Sequence, residues 1–419
     1  MKIAVIGSGI SGLTTAYLTN REHDVHVFEN DSRIGGHTAT KDVTVNGKTQ
    51  SIDTGFIVFN DWTYPNFMRL MTELGVQSKP TEMSFSVSCE QTGLEYGGSN
   101  LGTLFAQKRN LFNLPYLKML KDIVAFNKDA ISDLEAGALK EGITLGEYLK
   151  EKGYGKKFAS HYLIPMGAAI WSSTLEEMMS FPLVFFVRFF KNHGLLSIKD
   201  RPQWRVIEGG SAAYLAPLTA SFKDKIRTQT VINRVQRDDA GATLFFEKGG
   251  EEHFDQVVFA CHSDQALILL GEDASQQEKD ILGAIPYREN EVVLHTDVGL
   301  LPKRKKAWSS WNYLLGRDSK RPPTLSYDMN ILQHLDEPDT TFVVTLNRGD
   351  LIDPSKILGR YCYAHPVFSL AGIDAQARWH DINGVNNTWF CGAYWRNGFH
   401  EDGCWSGVRV AEGLGVKWQ

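Results

Sequence analysis

The chain has 419 residues, of which 42% are hydrophobic and 22% are charged, and its formal net charge is −5. These values are typical of a globular protein, so they exclude intrinsic disorder, collagen and a coiled coil as the main architecture. With 44 basic against 49 acidic residues, the chain lacks the basic excess that usually accompanies nucleic-acid binding. Its length predicts two or three domains.

The five cysteines are scattered and form no C-x-x-C pair, so we predict neither a metal site nor a disulfide framework. The chain enters a strand pattern at its first residues, without a signal peptide, and no uncharged apolar run is long enough to span a membrane. We therefore expect a cytoplasmic protein. Peripheral contact with the inner membrane and the oligomeric state stay open.

The first thirty residues read as a strand, a helix and a second strand. Lys2–Ile6 is a short apolar run, Ser11–Thr19 has the pattern of a helix, and Asp24–Glu29 resembles a second buried strand. This is the size and order of a βαβ unit, in which the first strand feeds a phosphate-binding turn.

The turn of this unit is a G-x-G-x-x-G motif. Gly7 permits the tight turn, Gly9 lets a pyrophosphate approach the backbone, and Gly12 lets the helix pack on the strand. The helix N-terminus at Ile10 and Ser11 offers free N–H groups and a partial positive charge to phosphate oxygens. The motif therefore predicts a dinucleotide-binding turn.

An acid closes the second strand. Glu29 lies about 20 residues after the turn, where a carboxylate accepts a hydrogen bond from a ribose hydroxyl. A negative charge there would repel a 2′-phosphate. We predict that Glu29 and the adjoining Asn30 contact the ribose of a dinucleotide without that phosphate.

Two further segments distinguish FAD from NAD. The run Arg33–Thr38 contains a second glycine pair and looks like the R-x-G-G extension of flavoproteins, while Asp53–Gly55 is similar to their D-x-G segment near the flavin. A simple NAD dehydrogenase lacks this extension. The FAD-binding residues predicted in these segments are Arg33, Gly35, Gly36, His37, Thr38, Asp53, Thr54 and Gly55.

The rest of the chain changes character twice. Residues 61–200 are mostly helical in pattern, and strand patterns return at 230–237, 242–247 and 256–260, then at 291–296 and 341–346. This order predicts a discontinuous nucleotide-binding domain interrupted by a second domain. We place the FAD-binding domain at 1–60, 201–265 and 380–419, and the substrate-binding domain at 61–200 and 266–379.

Several segments resemble the superfamily of FAD-dependent amine oxidases, phytoene desaturases and protoporphyrinogen oxidases. Glu208–Ser211 looks like its central G-G turn, Thr230–Val235 like the strand that pairs with adenine, and Trp389–Ala393 with Ser406–Gly407 like its closing motif. The resemblance implies an α/β fold: a Rossmann-like FAD-binding domain of the glutathione-reductase type with an inserted α+β substrate domain. It also implies FAD-binding roles for Val231, Gly392, Asp402 and Ser406.

A narrower resemblance points to one bacterial subgroup, usually called predicted NAD/FAD-binding proteins. It is carried by Pro165–Ser172, Trp311–Tyr313, Tyr363–Phe368 and Gly398–Gly403. Members are often encoded beside cyclopropane-fatty-acid-synthase-like methyltransferases, and some are implicated in modifying methylated fatty acyl chains on the route to furan fatty acids. This resemblance implies an apolar or lipid substrate.

Two positions depart from the superfamily pattern. Ala393 stands where an acid usually follows the closing glycine, so Glu401 or Asp402 is a candidate for that role. The segment Glu289–Val293 lacks the lysine that amine oxidases carry near the flavin, which weakens the amine-oxidase interpretation.

The predicted catalytic residues are His400, Glu401, Tyr363 and His365. If the closing helix begins at Ser406–Gly407, then His400–Asp402 precedes it and borders the flavin ring. A histidine titrates near neutral pH, and a neighbouring carboxylate can set its tautomer. A purely structural cap is the alternative.

Two amphipathic segments have open interpretations. The phenylalanines of residues 180–196 fit either a buried core helix or an apolar wall for an acyl chain. Residues 104–125 interleave basic and apolar side chains, as does a helix on anionic lipid, but a solvated helix face fits equally. Lys303–Lys306 could assist at a membrane surface, although a solvated loop is the simpler interpretation.

Together these features predict an FAD-dependent oxidoreductase that transfers hydride from a substrate C–H bond to the flavin, with desaturation or oxidation of a methylated fatty acyl lipid as the favoured reaction. An amine or polyamine oxidase and a flavin-dependent isomerase without net redox change are the alternatives. A third alternative uses FAD only as a folding element.

Overall fold

A computed structural model describes residues 1–140, 142–171, 173–197, 200–317 and 324–418. The strands in chain order are β1 (Lys2–Ile6), β2 (Asp24–Phe28), β3 (Thr40–Val45), β4 (Lys48–Asp53), β5 (Phe59–Asn60), β6 (Ser78–Pro80), β7 (Phe85–Cys89), β8 (Glu95–Gly97), β9 (Trp204–Ile207), β10 (Ile226–Arg227), β11 (Ile232–Asp238), β12 (Gly241–Phe246), β13 (Glu251–Phe254), β14 (Gln256–Phe259), β15 (Tyr287–His295), β16 (Trp311–Leu315), β17 (Thr324–Asp328), β18 (Val343–Leu346), β19 (Ile357–Pro366) and β20 (Thr388–Phe390). The α-helices are α1 (Ile10–Thr19), α2 (Pro65–Glu73), α3 (Leu101–Leu104), α4 (Leu114–Glu135), α5 (Leu145–Glu151), α6 (Lys156–Phe158), α7 (Ile164–Trp171), α8 (Leu175–Met179), α9 (Leu183–Asn192), α10 (Leu215–Thr219), α11 (Ser263–Leu270), α12 (Gln276–Leu282), α13 (Met329–Leu332), α14 (Leu370–Ala377), α15 (Trp379–Ile382) and α16 (His400–Gly413).

The first layer is a parallel sheet of the Rossmann type. Its strand order is β10-β2-β1-β14-β20, and every neighbouring pair runs parallel. Residues 3–6 of β1 are buried, as a central parallel strand requires. The predicted strand–helix–strand unit is confirmed, and the carboxyl ends of β1, β2 and β14 meet at one edge of the sheet.

The second layer is a mixed sheet in the order β19-β15-β18-β17-β16-β7-β8. Strands β7 and β8 come from the region before the nucleotide-binding segments resume, whereas the other five follow them in the chain. Helices α4 to α9 cover one part of this sheet and share its hydrophobic core. The fold is therefore α/β with an inserted substrate domain that the chain enters twice.

Short elements join the two layers. Strand β9 pairs antiparallel with β5 and β6, so residues 59–60, 78–80 and 204–207 form one small sheet. The hairpin β3–β4 is a separate two-stranded sheet, and Asp53 at its end accepts a hydrogen bond from Ser211 N–H, which follows β9. These elements carry the loops at 54–58 and 208–211 toward the edge where β1 and β14 end.

The phenylalanine-rich helix α9 is mainly a core helix. Phe186, Phe189 and Phe190 are buried, and Trp171 packs against them. Phe185 is half-buried and stacks on Phe368 with ring centroids 5.4 Å apart. The core-helix interpretation is therefore confirmed for the buried face of α9, and the interpretation as a wall for an acyl chain stays a prediction.

The described helices include none that is both long and apolar enough to cross a bilayer. The five cysteines are free thiols.

Candidate FAD and substrate site

The glycine turn after β1 has the geometry that each glycine was predicted to provide. Gly7 has φ +108°, and a Cβ on Gly12 would lie 2.1 Å from the Gly7 carbonyl oxygen. A Cβ on Gly9, in contrast, would meet no atom within 4 Å. Gly12 is therefore needed for packing, whereas Gly9 borders free space at the N-terminus of α1, which fits the approach of a pyrophosphate.

Glu29 ends β2 beside this turn. Ser8 donates its backbone N–H (3.0 Å) and its hydroxyl (2.5 Å) to Glu29 Oε2, and Asp31 N–H donates to Oε1 at 2.8 Å. Asn30 is exposed next to it. The carboxylate thus lies between the turn and the surface, where a ribose hydroxyl can replace the Ser8 hydroxyl as donor.

Val231 lies close to the same end of β2, because Thr230 N–H donates to the Glu29 carbonyl at 2.9 Å. The strand that was predicted from Thr230 begins at Ile232 instead. The Val231 carbonyl accepts from Glu247 N–H at 3.0 Å. Its position beside Glu29 suits a contact with the adenosine half of FAD.

The loop of the second glycine pair folds against the turn. Arg33 donates to the carbonyls of Thr38 (3.1 Å) and Gly36 (2.8 Å), which closes the loop on itself. A Cβ on Gly36 would lie 3.2 Å from Gly9 Cα, so the loop passes directly over the phosphate-binding backbone. Gly35 and Gly36 both have positive φ, which explains the glycine pair.

Asp53 is buried and is bound to the second glycine-rich turn. Its Oδ1 accepts from Ser211 N–H (2.8 Å), Ser211 hydroxyl (2.9 Å) and Thr40 hydroxyl (2.6 Å). Burial raises the pKa of Asp53 to about 6. The carboxylate therefore joins β4 to the segment after β9. Gly55 lies under His37, where a Cβ would be 2.1 Å from the His37 carbonyl oxygen.

His37, His262, His365 and Tyr363 form what we call the imidazole cluster. The His37 ring centroid lies 5.9 Å from His262, 5.5 Å from His365 and 5.4 Å from Tyr363. The Tyr363 hydroxyl is 2.9 Å from Thr54 Oγ1. The cluster thus joins both predicted FAD-binding segments to strand β19 of the substrate domain.

The three imidazoles of this cluster are neutral at pH 7. Burial lowers the pKa of His37 and His262 to about 4 and that of His365 to about 3. His37 Nε2–H donates to the Ala364 carbonyl at 3.2 Å. His262 was not predicted from the sequence, although its position just after the parallel strand β14 is the signal that could have identified it.

The segment Glu289–Val293 lies in β15, next to β19. Asn290 is fully buried there and pairs with Tyr363 in the sheet register. Its amide donates to His365 Nδ1 at 3.3 Å and accepts from Asn347 at 2.9 Å. A neutral amide, and no lysine, therefore supports the cluster from the substrate domain.

His400 opens helix α16, which begins at this residue and not at Ser406 as the sequence predicted. Its Nε2 lies 2.7 Å from the Tyr214 hydroxyl and 3.1 Å from Thr38 Oγ1, and its ring stacks on Phe56 at 3.6 Å. Burial holds the pKa of His400 well below its usual value. The imidazole thus connects α16 to the loop of the second glycine pair.

Glu401 binds the N-terminus of helix α2. Its carboxylate accepts from the Asn66 side chain (2.6 Å) and from Phe67 N–H (2.9 Å). These bonds satisfy donors that have no partner inside α2. Burial raises the pKa of Glu401 despite these bonds.

Asp402 caps its own helix. Its Oδ2 accepts from Phe399 N–H at 2.9 Å, and Arg396 lies 3.8 Å from Oδ1. This bond explains why α16 starts at His400, since Asp402 then occupies the third helical position. Burial raises the pKa of Asp402 to about 7.

The closing motif packs α16 onto α1. Ser406 hydroxyl donates to the Gly403 carbonyl and accepts from Gly392 N–H, both at 2.9 Å. A Cβ on Gly407 would lie 2.5 Å from the Ser11 carbonyl oxygen. Ser406 is therefore an internal residue of α16, and its hydroxyl holds the Gly392 backbone in place.

Aromatic rings line the boundary between the two domains near the start of α16. Phe399 stacks on Phe189 at 5.3 Å, and Phe185 stacks on Phe368. Phe185, Phe368 and Phe399 are all half-buried. They present an apolar surface next to the predicted flavin-facing helix.

We expect Gly9→Val and Gly12→Ala to separate binding from packing. Gly9→Val adds a side chain to free space at extended φ, so the protein should fold with an unchanged melting temperature but lose bound FAD. Gly12→Ala should destabilise the flavin-free protein by about 1–3 kcal/mol, because the new methyl overlaps backbone. Flavin content and thermal unfolding of the flavin-free protein measure both effects. Equal destabilisation by the two changes would contradict these roles.

We expect Asp402→Asn to change how stability depends on pH. Because the pKa of Asp402 is raised, the folded protein keeps a proton on this carboxyl that the unfolded protein releases above about pH 4. The contribution of Asp402 to the free energy of unfolding therefore falls as the pH rises toward 7. Asparagine keeps the acceptor for Phe399 N–H and does not ionise. In denaturant unfolding, the free energy of unfolding of Asp402→Asn relative to the native protein should be higher at pH 8 than at pH 5.

The matched control is Asp402→Ala, which removes the cap at both pH values. It should cost about 1 kcal/mol at pH 5, where the native carboxyl is largely protonated. If the difference in stability between Asp402→Asn and the native protein were the same at both pH values, burial would not raise the pKa of Asp402.

Comparison with known proteins agrees with this geometry. The family model of flavin-containing amine oxidoreductases matches residues 10–334. A Mycobacterium tuberculosis protein named as a flavin-containing monoamine oxidase, AofH, is 24% identical over 255 residues, which are 60% of this chain and 54% of that protein. The chain thus spans about half the length of the curated relative that it matches.

Two solved structures show the same fold over nearly the whole chain. Putrescine oxidase bound to putrescine superposes with a TM-score of 0.69 at 15% identity and covers 100% of both chains. The CLA-producing fatty acid isomerase from P. acnes superposes with a TM-score of 0.68 at 16% identity and covers 98% of both chains. With the glycine turn, Glu29 and the second glycine pair around one binding space, the chain belongs to the flavin-containing amine oxidoreductase family.

Proposed function

We propose that this protein is an FAD-dependent oxidoreductase that removes hydride from a C–H bond of an uncharged, apolar substrate. We propose further that the substrate is a fatty acyl lipid whose chain is desaturated or oxidised. The observation that carries the proposal is the neutral imidazole cluster backed by Asn290. FAD, when bound, accepts the hydride. The protein's own residues bind the substrate, exclude water and hold the protons near the reacting carbon.

The charges around the cluster support an uncharged substrate. His37, His262 and His365 are neutral at pH 7, and Asn290, in the segment that lacks the lysine of amine oxidases, provides a neutral amide. The acids predicted near the flavin are engaged elsewhere, since Asp53, Glu401 and Asp402 all accept hydrogen bonds from backbone N–H groups. An ammonium group would therefore lose hydration here without gaining a free carboxylate.

The aromatic boundary supports an acyl chain. Phe185, Phe368 and Phe399 are only half-buried, and their stacked rings connect helix α9 to the start of α16. Covering such rings with methylene groups is favourable by roughly 25 cal/mol per Å² of apolar surface. An acyl chain matches this surface better than a short polyamine does.

Of the predicted catalytic residues, His365 and Tyr363 are the better placed. Both lie on β19, and both contact the segments that carry the FAD-binding loops. Because Asn290 donates to His365 Nδ1, the ring proton is held at Nε2. We propose that His365 and Tyr363 orient the substrate, while His400 and Glu401 position the start of α16.

Two alternatives keep specific support. The match to AofH and the fold shared with putrescine oxidase favour an amine or polyamine oxidase. The fold shared with the P. acnes fatty acid isomerase favours an isomerase that acts on an acyl chain without net redox change. The amine oxidase differs from the proposal in its substrate, and the isomerase differs in the mass of its product.

Anaerobic mixing with candidate substrates tests the three functions. We expect bleaching of the oxidised flavin spectrum by a mid-chain methylated fatty acyl phospholipid, with a product that has lost two hydrogens. Bleaching by putrescine or spermidine and not by the lipid would replace the proposal with amine oxidation. A product of unchanged mass, formed only after the flavin is reduced beforehand, would replace it with isomerisation.

Substitutions within the site test the assigned residues. We expect His365→Ala to keep its FAD and to lower turnover by about 10²-fold, the usual scale for a substrate that is no longer oriented correctly. Tyr363→Phe keeps the ring but loses the bond to Thr54, so we expect a smaller loss. Normal turnover in both variants would remove β19 from the catalytic site.

His400→Ala is the matched comparison within the same experiment. Its bonds to Tyr214 and Thr38 predict a lower melting temperature and weaker FAD retention as the main effects. A loss of turnover of about 10²-fold with full FAD occupancy and unchanged stability would instead show that His400 acts in catalysis.

A further inference from the structure

The surface of the substrate domain carries large apolar side chains that point into solvent. Leu101 is 74% exposed, Leu111 48%, Phe112 87% and Leu114 76%. They lie on α3, on the 3₁₀ turn Lys108–Phe112 and at the first position of α4. We call these four residues the apolar face. Such side chains grouped on one surface usually mark an interaction site.

The backbone beneath the apolar face is well anchored. Asn100 caps α3 by accepting from Thr103 N–H at 3.0 Å, and Asn113 caps α4 by accepting from Tyr116 N–H at 3.2 Å. The Tyr116 hydroxyl donates to the Leu104 carbonyl at 2.8 Å, which holds the two helices together. The apolar side chains therefore project from a fixed scaffold and not from a frayed end.

Basic residues lie close to this face in the chain. Residues 96–121 contain Lys108, Arg109, Lys118 and Lys121 but no acid, although the whole chain is acidic with a net charge of −5. From another part of the chain, Lys306 Nζ comes within 3.5 Å of where a Cβ on Gly102 would lie. Lys118 pairs with Asp122 at 2.9 Å, just outside this window, whereas within the described ranges Lys108 and Lys121 form no ion pair with an acid.

We propose that the apolar face and its basic rim dock on an anionic lipid bilayer. Leu111, Phe112 and Leu114 would enter the boundary between headgroups and acyl chains, and the lysines would contact lipid phosphates. Anionic headgroups are the occupant that matches exposed apolar side chains with unpaired lysines close by in the chain. The proposal rests on surface chemistry alone and does not depend on the reaction at the flavin.

The structure also limits where the membrane contacts the protein. Residues 180–196, the other segment considered for lipid contact, are excluded as a docking face because Phe186, Phe189 and Phe190 are buried in the core. The docking region lies around the start of α4, within the amphipathic segment 104–125. It also includes Leu101, which precedes that segment.

Vesicle sedimentation of the purified holoenzyme tests the proposal. We expect binding to vesicles of phosphatidylglycerol in phosphatidylcholine, weakened by salt, and little binding to phosphatidylcholine alone. The double variant F112S/L114S should lose binding by at least about tenfold, because two apolar side chains no longer enter the bilayer. Both side chains are exposed, so the melting temperature should not fall.

Matched controls lie outside the apolar face and its basic residues. Ile268 on α11 is 74% exposed, and Ile268→Ser should leave vesicle binding unchanged. Lys108→Gln with Lys121→Gln should weaken binding by roughly tenfold or more, at about 1 kcal/mol per cation near the surface. The corresponding control, Lys248→Gln in the β12–β13 hairpin, should have no effect.

Three results would overturn the proposal. One is absence of binding to the anionic vesicles at low salt. Another is an equal loss of binding in Ile268→Ser. The third is a native protein that is dimeric without lipid and becomes monomeric in F112S/L114S, which would make the face an interface between two copies of this chain. Vesicle binding without turnover of an acyl lipid would instead reject only the proposed substrate.

Discussion

The close packing of helix α16 on helix α1 is the constraint on which the rest of the site depends. A Cβ on Gly403 would lie 2.7 Å from Ile10 Cγ2, and one on Gly407 would lie 2.5 Å from the Ser11 carbonyl oxygen. These glycines allow two helices from opposite ends of the chain to touch along their first turns. The partial positive charges of both N-termini therefore converge on one space, which suits an anionic dinucleotide.

The acids around that space hold elements of the fold together through hydrogen bonds. Asp53 holds the Ser211 turn, Glu401 binds the start of α2 and Asp402 caps α16. In a poorly hydrated site an unpaired carboxylate is costly, and backbone N–H groups offer the partners that are nearest. The imidazole cluster nearby is neutral, which supports the uncharged substrate that we propose.

The nucleotide-binding elements could be predicted from the sequence because their signals are local. The strand Lys2–Ile6 was predicted with its observed bounds, and the three glycines of the turn have the distinct environments that the motif implies. The start of α16 was predicted six residues too late. The error arose because the bond from Asp402 to Phe399 N–H, which defines the first turn, is not apparent from a motif centred on Ser406.

By itself, the sequence determined the first strand–helix–strand unit and the residues of the phosphate-binding turn, since these depend on local signals in the chain. The choice of FAD and the α/β architecture with an inserted domain came from the resemblance to a family. Only the tertiary structure decided which distant groups meet. It joined His37, His262 and His365 from separate segments, placed Asn290 behind them, and buried one face of α9 while leaving Phe112 in solvent. Burial and long-range pairing are properties of the assembled layers, and so they cannot be obtained from residue spacing along the chain.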